Sequence, residues 1–299
     1  MNNFKFYILL FFSLLCANSL FSQSKTNSPE QVKYSNPQEM LTMYEDSIQY
    51  WAEKMLRDEL EMDRYKANKE LQRVVEKCLE VKEVLTHPFE KVKAIAILSP
   101  DDKSFRIFNW HLRKDNETYT FFAYLVKETK RGIEFFTLND KGMNEPNIEF
   151  KTNSYQDWPG AHYYQIIQPE KKNNDYYLLL GWNGNNKIST KKVVEVLHFQ
   201  NNQPKFGFPV FKTEKRNQTR IVFEYSKEAS MSLRYDEKKK WIVFDNLSPR
   251  EPQLEGMYSY YGPDFSINAL NYVKGKWLLE KGVDVTNEKS KKIKYNQPE

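Results

Sequence analysis

The stretch Phe105-Arg106-Ile107-Phe108-Asn109-Trp110-His111-Leu112 decides the fold, together with Lys114-Asp115-Asn116 and the run Tyr119-Thr120-Phe121-Phe122-Ala123-Tyr124-Leu125-Val126. Phe105, Ile107 and Asn109 alternate with Arg106, Phe108 and Trp110, so successive side chains fall on opposite faces of an extended chain. Lys114-Asp115-Asn116 supplies residues that accept the backbone angles of a hairpin. The pattern predicts two antiparallel strands.

Similar runs occur on both sides. They are Lys93–Leu98, Ile133–Leu138, His162–Ile167, Tyr176–Trp182, Lys192–Phe199, Phe206–Phe211, Arg220–Tyr225, Met231–Tyr235, Trp241–Phe244, Met257–Tyr261, Asn268–Val273 and Trp277–Val283. Turn residues separate them, among them Asn139-Asp140-Lys141-Gly142, Lys172-Asn173-Asn174-Asp175, Asn183-Gly184 and Asp236-Glu237-Lys238. One strand and its turn take about 10 to 15 residues, the spacing of successive hairpins. Helices do not alternate with the strands, which excludes a parallel α/β sheet. The expected fold is mainly β: an antiparallel sheet, sandwich or open barrel over residues 88–285. A small β-propeller is the alternative, with Ile97-Leu98-Ser99-Pro100-Asp101 faintly echoed by Asn246-Leu247-Ser248-Pro249. The regular period of about 40 residues that blades impose is missing.

Residues 36–87 read differently. Asn36 can cap a helix, Pro37 suits its first turn, and Glu39 stands three residues after the cap. Leu41, Tyr44, Ile48, Trp51 and Met55 recur at steps of three and four, and so do Leu71, Val74, Cys78, Val81 and Leu85. Each series makes one apolar helical face. The charged stretch Arg57–Lys69 between them leaves two options, one long helix or a helical hairpin. Thr86-His87-Pro88 ends the segment, because the residue before Pro resists helical geometry. No Gly precedes Gly132, in keeping with a helical front section. Each apolar seam covers about two heptads, too short for a stable coiled coil, so packing on the β domain is expected.

The first residues read as an address. Lys5 precedes the apolar block Phe6–Leu15, and Ala17-Asn18-Ser19 and Ser22-Gln23 follow. These are the parts of a secretory signal peptide over residues 1–22, cleaved after Ser19 or Ser22. The block is about half the ~20 residues a membrane-spanning helix needs, so no transmembrane span is expected in the mature chain. Leu15 is too large for a lipoprotein signal at Cys16. Residues 23–35 read as a flexible leader and 286–299 as a polar tail. Cleavage leaves Cys78 as the one remaining Cys, so no internal disulfide can form. Export without disulfides points to a bacterial periplasm or the extracellular side of a Gram-negative envelope.

Composition excludes several classes. The chain has 299 residues, 45 Lys+Arg against 40 Asp+Glu, a net charge of +5, 15% aromatic residues, 10 Gly and 2 Cys. It is neither collagen-like nor a disulfide scaffold, and enough of it is apolar to build a core. The balanced charge argues against a nucleic-acid partner.

Catalytic signatures are missing: no His-Glu-x-x-His helix, Gly-x-Ser-x-Gly elbow, phosphate-binding Gly loop or Cys-x-x-Cys pair. No cofactor and no metal are therefore expected. The four histidines, His87, His111, His162 and His198, are widely spaced. Satisfied structural histidines are the simpler reading, and a ligand set drawn from distant strands is the alternative. Cys78 reads as a small buried hydrophobe.

Two segments offer binding residues. In Leu180-Gly181-Trp182-Asn183-Gly184-Asn185, a strand runs into an expected type I′ hairpin. Trp182 could be a sugar-stacking platform there, or Asn183 and Asn185 oxygen donors to Ca2+, although a Ca2+ loop usually supplies carboxylates and none stands there. In Met257-Tyr258-Ser259-Tyr260-Tyr261-Gly262-Pro263-Asp264, an aromatic strand leads into a Gly-Pro turn and an acid. Tyr258, Tyr260, Tyr261 and Asp264 are the candidates there, because outward Tyr rings bury large area on sugars or peptides at low entropic cost. Cross-strand aromatic ladders are the simpler reading. Asp264 with Glu224 or Asp245 could form a glycosidase pair if both acids face one cleft.

The stretch from Tyr176 to Asp264 also resembles uncharacterised exported proteins of the Bacteroidota. The resemblance lies in Leu180-Gly181-Trp182-Asn183-Gly184-Asn185, Lys205-Phe206-Gly207-Phe208-Pro209-Val210-Phe211, Arg220-Ile221-Val222-Phe223-Glu224-Tyr225 and Tyr261-Gly262-Pro263-Asp264. It implies a Gram-negative envelope setting and supplies no activity. The sequence thus predicts an exported non-enzymatic β protein that binds a glycan, peptide or cell-envelope protein through exposed aromatics. A carboxylate-dependent hydrolase of extracellular polymer is one alternative. A structural subunit docking a partner through its N-terminal helix is the other.

Overall fold

The computed structural model describes residues 36–169, 175–213 and 217–284. The chain divides into two units, Met1–Tyr34 and Ser35–Glu299, and every described element belongs to the second. The expected signal peptide, leader and tail lie outside the described residues.

Two helices come first, α1 (Pro37–Arg57) and α2 (Glu61–Leu79), then a 3-10 turn at Lys82–Leu85. The strands in chain order are β1 (Ala96–Leu98), β2 (Phe105–Arg113), β3 (Tyr119–Thr129), β4 (Gly132–Asn139), β5 (Asn153–Ser154), β6 (His162–Ile167), β7 (Tyr176–Asn183) and β8 (Ser189–Gln200). They continue with β9 (Gln203–Phe206), β10 (Phe211–Lys212), β11 (Asn217–Gln218), β12 (Ile221–Ser226), β13 (Leu233–Asp236), β14 (Trp241–Pro249), β15 (Tyr261–Val273) and β16 (Lys276–Glu280).

The helices begin where the sequence says. Asn36 Oδ1 accepts from the Glu39 amide at 2.9 Å, and Pro37 opens the helix. The chain breaks at Asp58, whose backbone is extended, so the segment is a hairpin and not one long helix. Arg64 braces that break by donating to the carbonyls of Asp58 at 3.1 Å and Arg113 at 3.1 Å. Within the helical layer Glu45 is buried, its Oε2 lying 3.1 Å from His87 Nε2 and its Oε1 accepting the Lys91 amide at 2.5 Å. Gln38 Nε2 lies 2.9 Å from His87 Nδ1, so this histidine is fully partnered.

The strands form three sheets. The first is the antiparallel meander β1-β2-β3-β4. The second has the order β5-β9-β8-β7-β6, with β12 added along β8. The third runs β11-β10-β16-β15-β14-β13, antiparallel except where β10 meets β16. One sheet curls into a half-barrel. Alternation sets the layering. Phe108, Trp110, Leu112, Tyr124 and Val126 pack with α1 and α2 in one core. Phe105, Ile107, Phe121, Ala123 and Leu125, their neighbours on the opposite face, pack with Leu179, Val193, Leu197 and Phe206 of the second sheet. The second sheet then turns Leu178, Leu180, Val194 and Val196 toward Ile242, Phe244, Leu270 and Trp277 of the third. Sheets packed through successive faces take the place of the radial blades that the propeller alternative requires.

Arg220 ties one loop to this stack. It is fully buried with Glu195, and Nε donates to Glu195 Oε2 at 2.8 Å. Its other nitrogens reach the carbonyls of Ile148, Lys151 (3.2 Å) and Phe206 (3.0 Å) and the Asn153 side chain (3.0 Å). Gly207 lies beside this knot at φ +98°, where a Cβ would stand 2.4 Å from the Lys151 carbonyl.

Four local expectations are corrected. Phe206–Phe211 is not one strand: β9 ends at Phe206 and β10 starts at Phe211, because Gly207 takes its left-handed turn between them. Tyr258–Tyr260 is a 3-10 turn and not part of a strand. Gly262-Pro263 is not a turn but lies inside β15, paired with Ser248 and Leu247 of β14. β16 pairs only from Ala269 onward, so Pro263 has a ladder on one side only, where its missing N–H is tolerated. The fourth concerns Asn183-Gly184. The left-handed residue of that turn is Asn185, at φ 46°, so the two-residue type I′ geometry does not form. Gly184 is small for another reason: a Cβ there would stand 2.2 Å from the Tyr119 ring.

Candidate functional site

The predicted residues separate into three places. Trp182 faces inward, with its ring edge-on to His111 at 5.3 Å and Tyr119 at 5.0 Å. Its Nε1 donates to Thr190 Oγ1 at 2.8 Å. It is half-buried and engaged on its faces, so the sugar-platform expectation is not met there. Asn183 is buried, donating to the Gly160 carbonyl at 2.7 Å and accepting the Asn185 amide at 2.7 Å. Its oxygen holds the turn and its amide nitrogen ties the strand end to the loop before β6.

Asp264 stands elsewhere. It accepts from Ser266 Oγ at 2.7 Å and from Asn246 Nδ2 at 2.6 Å. The hydrogen bonds from Ser266, then Asn246, hold its carboxyl below the ordinary range. They also make it the anchor of an irregular stretch of β15, where Phe265 adopts φ 70° and is 98% exposed. Asp245 accepts the Ser232 amide at 2.8 Å. Neither acid shares a hydrogen-bond partner with Glu224. Tyr261 is half-buried, its hydroxyl accepting the Gly256 amide at 2.9 Å, and Tyr260 is exposed.

Glu224 and Tyr258 do come together, at a polar cleft of about 240 Å3 whose lining includes Asn144, Glu145, Glu149, Lys191, Glu224 and Tyr258, and Asn185 stands behind it, bonded to Glu224. Register builds it. β12 lies antiparallel on β8 with Glu224 directly opposite Lys191. Lys191 Nζ sits 3.4 Å from Glu224 Oε2 and donates to Asn144 Oδ1 at 2.6 Å and the Met143 carbonyl at 3.3 Å. The other Glu224 oxygen accepts from Ser189 Oγ at 2.7 Å and Asn185 Nδ2 at 3.0 Å. Glu224 is thus fixed by three donors, and partial exposure leaves lone pairs for an incoming group.

The remaining wall is more open. The carboxylate of Glu149 has no hydrogen bond or ion pair among the described residues, and Glu145 pairs with Lys151. Tyr258 is 46% exposed. Burial, then Tyr261 and the carboxylates of Glu224 and Glu149, raise its phenol above the ordinary range, so its hydroxyl remains a donor at neutral pH. The cleft combines an accessible ring, a fixed carboxylate, a free carboxylate and amides. This set can stack on a flat apolar face and bind hydroxyl or amine hydrogens around its edge.

Sequence reasoning missed Ser189, Lys191, Asn144, Glu145 and Glu149. A signal for two of them was legible. Ser189, Lys191 and Glu195 fall in step with Val193 and Leu197, which face a core. Polar side chains on the apolar face of a strand need built partners. Phe265, the most exposed aromatic among the described residues, was also missed.

Among the described residues no helix is long and apolar enough to cross a membrane. Compared with known protein families, curated proteins and solved structures, the chain has no match in any of the three.

Proposed function

We propose that this chain is an exported, non-catalytic β protein that binds a glycan in the cleft beside Tyr258. The observation that carries the reading is the exposed Tyr258 ring on the wall of a cleft whose floor holds the anchored Glu224. A sugar ring stacks its C–H face on an aromatic side chain, and its hydroxyls donate to carboxylates and amides. Glu224, Glu149 and Asn144 are placed for the second task while Tyr258 does the first. Because Glu224 is held before binding, ligand capture costs little ordering of this side chain. Export is part of the same proposal. It rests on the N-terminal pattern and on the resemblance to exported Bacteroidota proteins.

The test is a panel of envelope and extracellular oligosaccharides titrated against the purified protein, read by calorimetry. Tyr258→Ala should weaken the best ligand about five- to thirtyfold, the size of a lost stacking contact of 1–2 kcal/mol. Stability should change by no more than about 1.5 kcal/mol, since the ring is only half-buried, against Tyr261. Binding that survives both Tyr258→Ala and Glu224→Gln would refute this site.

A further inference from the structure

Lys191 is the only lysine buried among the described residues, at 4% exposure. It stands on β8 between Asn183 of β7 and Glu224 of β12, and Met143, Ile148 and Val222 line the cleft with it. One carboxylate is enough to partner a buried ammonium. This amine meets two different functional groups. Its Nζ lies 3.4 Å from Glu224 Oε2 and donates to Asn144 Oδ1 at 2.6 Å. An amine, a carboxamide and a carboxylate therefore converge on one point in an apolar surround.

The fold brings the three groups from separate segments. Asn144 follows β4, the last strand of the first sheet, and Lys191 lies on a central strand of the second, 47 residues away. The chain before Asn144 is fixed. Asp140 Oδ1 accepts the Gly142 amide at 2.8 Å, and the Lys141 amide donates to the Trp158 carbonyl at 2.8 Å. Met143 is buried, and its carbonyl accepts from Lys191 Nζ at 3.3 Å. Ser189 and Asn185 hold Glu224 from the other side. Asn144 Cγ lies one C=O bond beyond Oδ1, which puts it within about 3.8 Å of Nζ. Groups about to react stand about 3–3.5 Å apart. Among the described residues the Asn144 amide has no hydrogen-bond partner besides Lys191, and an Asn side chain turns readily about its last torsion, so the carbon can rotate toward the amine.

We propose that Lys191 and Asn144 join in an intramolecular isopeptide bond, with Glu224 carrying the proton. A lysine amine becomes a nucleophile when a neighbouring base takes its proton in an apolar pocket. Glu224 Oε2 accepts a proton from the Lys191 ammonium. The freed Nζ lone pair attacks Asn144 Cγ, and Glu224 returns its proton to the carbonyl oxygen as the C–N bond forms. The tetrahedral centre then collapses. The carbonyl re-forms, the Cγ–Nδ2 bond breaks, and Nδ2 takes up protons from the hydroxyl and from Nζ and leaves as ammonium. In sum, one ammonium and one carboxamide give one secondary amide and one ammonium ion, and Glu224 is regenerated. No oxidant and no water are consumed. The cleft that Asn144 lines gives the leaving group its exit. The bond fastens the end of the first sheet to the second in a chain whose mature form has one cysteine and no disulfide. Oδ1 of Asn144 stays an acceptor, and Tyr258, Glu149 and Glu224 still face the cleft.

Mass spectrometry of the purified full-length mature protein tests this. The denatured wild type should weigh about 17 Da less than its sequence, the mass of one ammonia. Cyclisation of a terminal Gln23 or a succinimide at Asn183-Gly184 removes the same mass, so tandem spectra of tryptic peptides make the assignment. They should show one branched peptide joining residue 144 to residue 191, with no cleavage after Lys191. Lys191→Arg and Glu224→Gln should each abolish the branched peptide, while Tyr258→Ala, which tests the glycan reading separately, should leave it intact. Should a variant fail to fold, the wild-type spectra decide alone. Wild-type peptides recovered only unlinked would overturn the proposal. So would Lys191 joined to Glu224 with loss of water, or a bond that forms in full in Glu224→Gln.

Discussion

Replacing Arg220 by Met tests whether the buried knot beneath the cleft is structural in the way its geometry requires. The variant keeps much of the volume and removes every donor. Glu195, fully buried opposite it, loses its cationic partner, and the carbonyls of Ile148, Lys151 and Phe206 each lose a donor. Stranding one member of a buried pair costs about 3–5 kcal/mol. The carbonyls near the loop can recover water as the loop lifts, so the total should be about 5 kcal/mol. For a domain of this size each kcal/mol moves Tm by roughly 2–4 °C, giving a fall of about 10–20 °C. Urea unfolding followed by tryptophan fluorescence measures the loss, and hydrogen exchange should show residues 148–153 opening first. The double variant Arg220→Met/Glu195→Met removes the orphaned charge as well and should recover about half of the loss. A single variant that loses less than ~1 kcal/mol would refute the reasoning. So would a double variant no better than the single, since the cost would then lie in the carbonyls and not in Glu195.

Gly160→Ala places a Cβ 2.1 Å from Asp140 Oδ1 at φ +72° and should cost at least ~2 kcal/mol in chemical denaturation, whereas Gly142→Ala, at φ +81° in open space, should cost about 1. Burial, then the charge of His162, pushes His111 down to about 4, and burial with Lys192 lowers His162. The folded state therefore binds fewer protons than the unfolded chain between about pH 6.5 and 4. Stability should be fully present above this window and fall on acidification, by on the order of 3 kcal/mol for His111 alone, and His111→Gln should remove that part of the pH profile. The Cys78 thiol, pushed up to about 12 by burial, should resist disulfide reagents in the native protein and react at once in denaturant.

The hairpin Phe105–Val126 and the helix start at Asn36 were legible because each depends on neighbours within a few residues, whereas the charged stretch before α2 left one long helix and a hairpin equally open. So was Cys78, whose place in an apolar helical series already marked it as core. The misread turn at Asn183-Gly184 shows the limit. Its dipeptide fits a type I′ hairpin, but the glycine is needed for the approach of Tyr119, a ring more than sixty positions away. Tyr258 was found through its aromatic neighbourhood, while its partners Lys191 and Glu149 were not.

The sequence by itself determined the mainly β fold, the helical front segment and the absence of local catalytic motifs, because periodicity, caps and turn chemistry act over short spans of chain. Only the tertiary structure decided that Glu224 meets Lys191 and Asn185 and not Asp264, and that His111 meets His162. Those meetings depend on strand register and on which sheet faces stack, and both are set by burial across the whole domain.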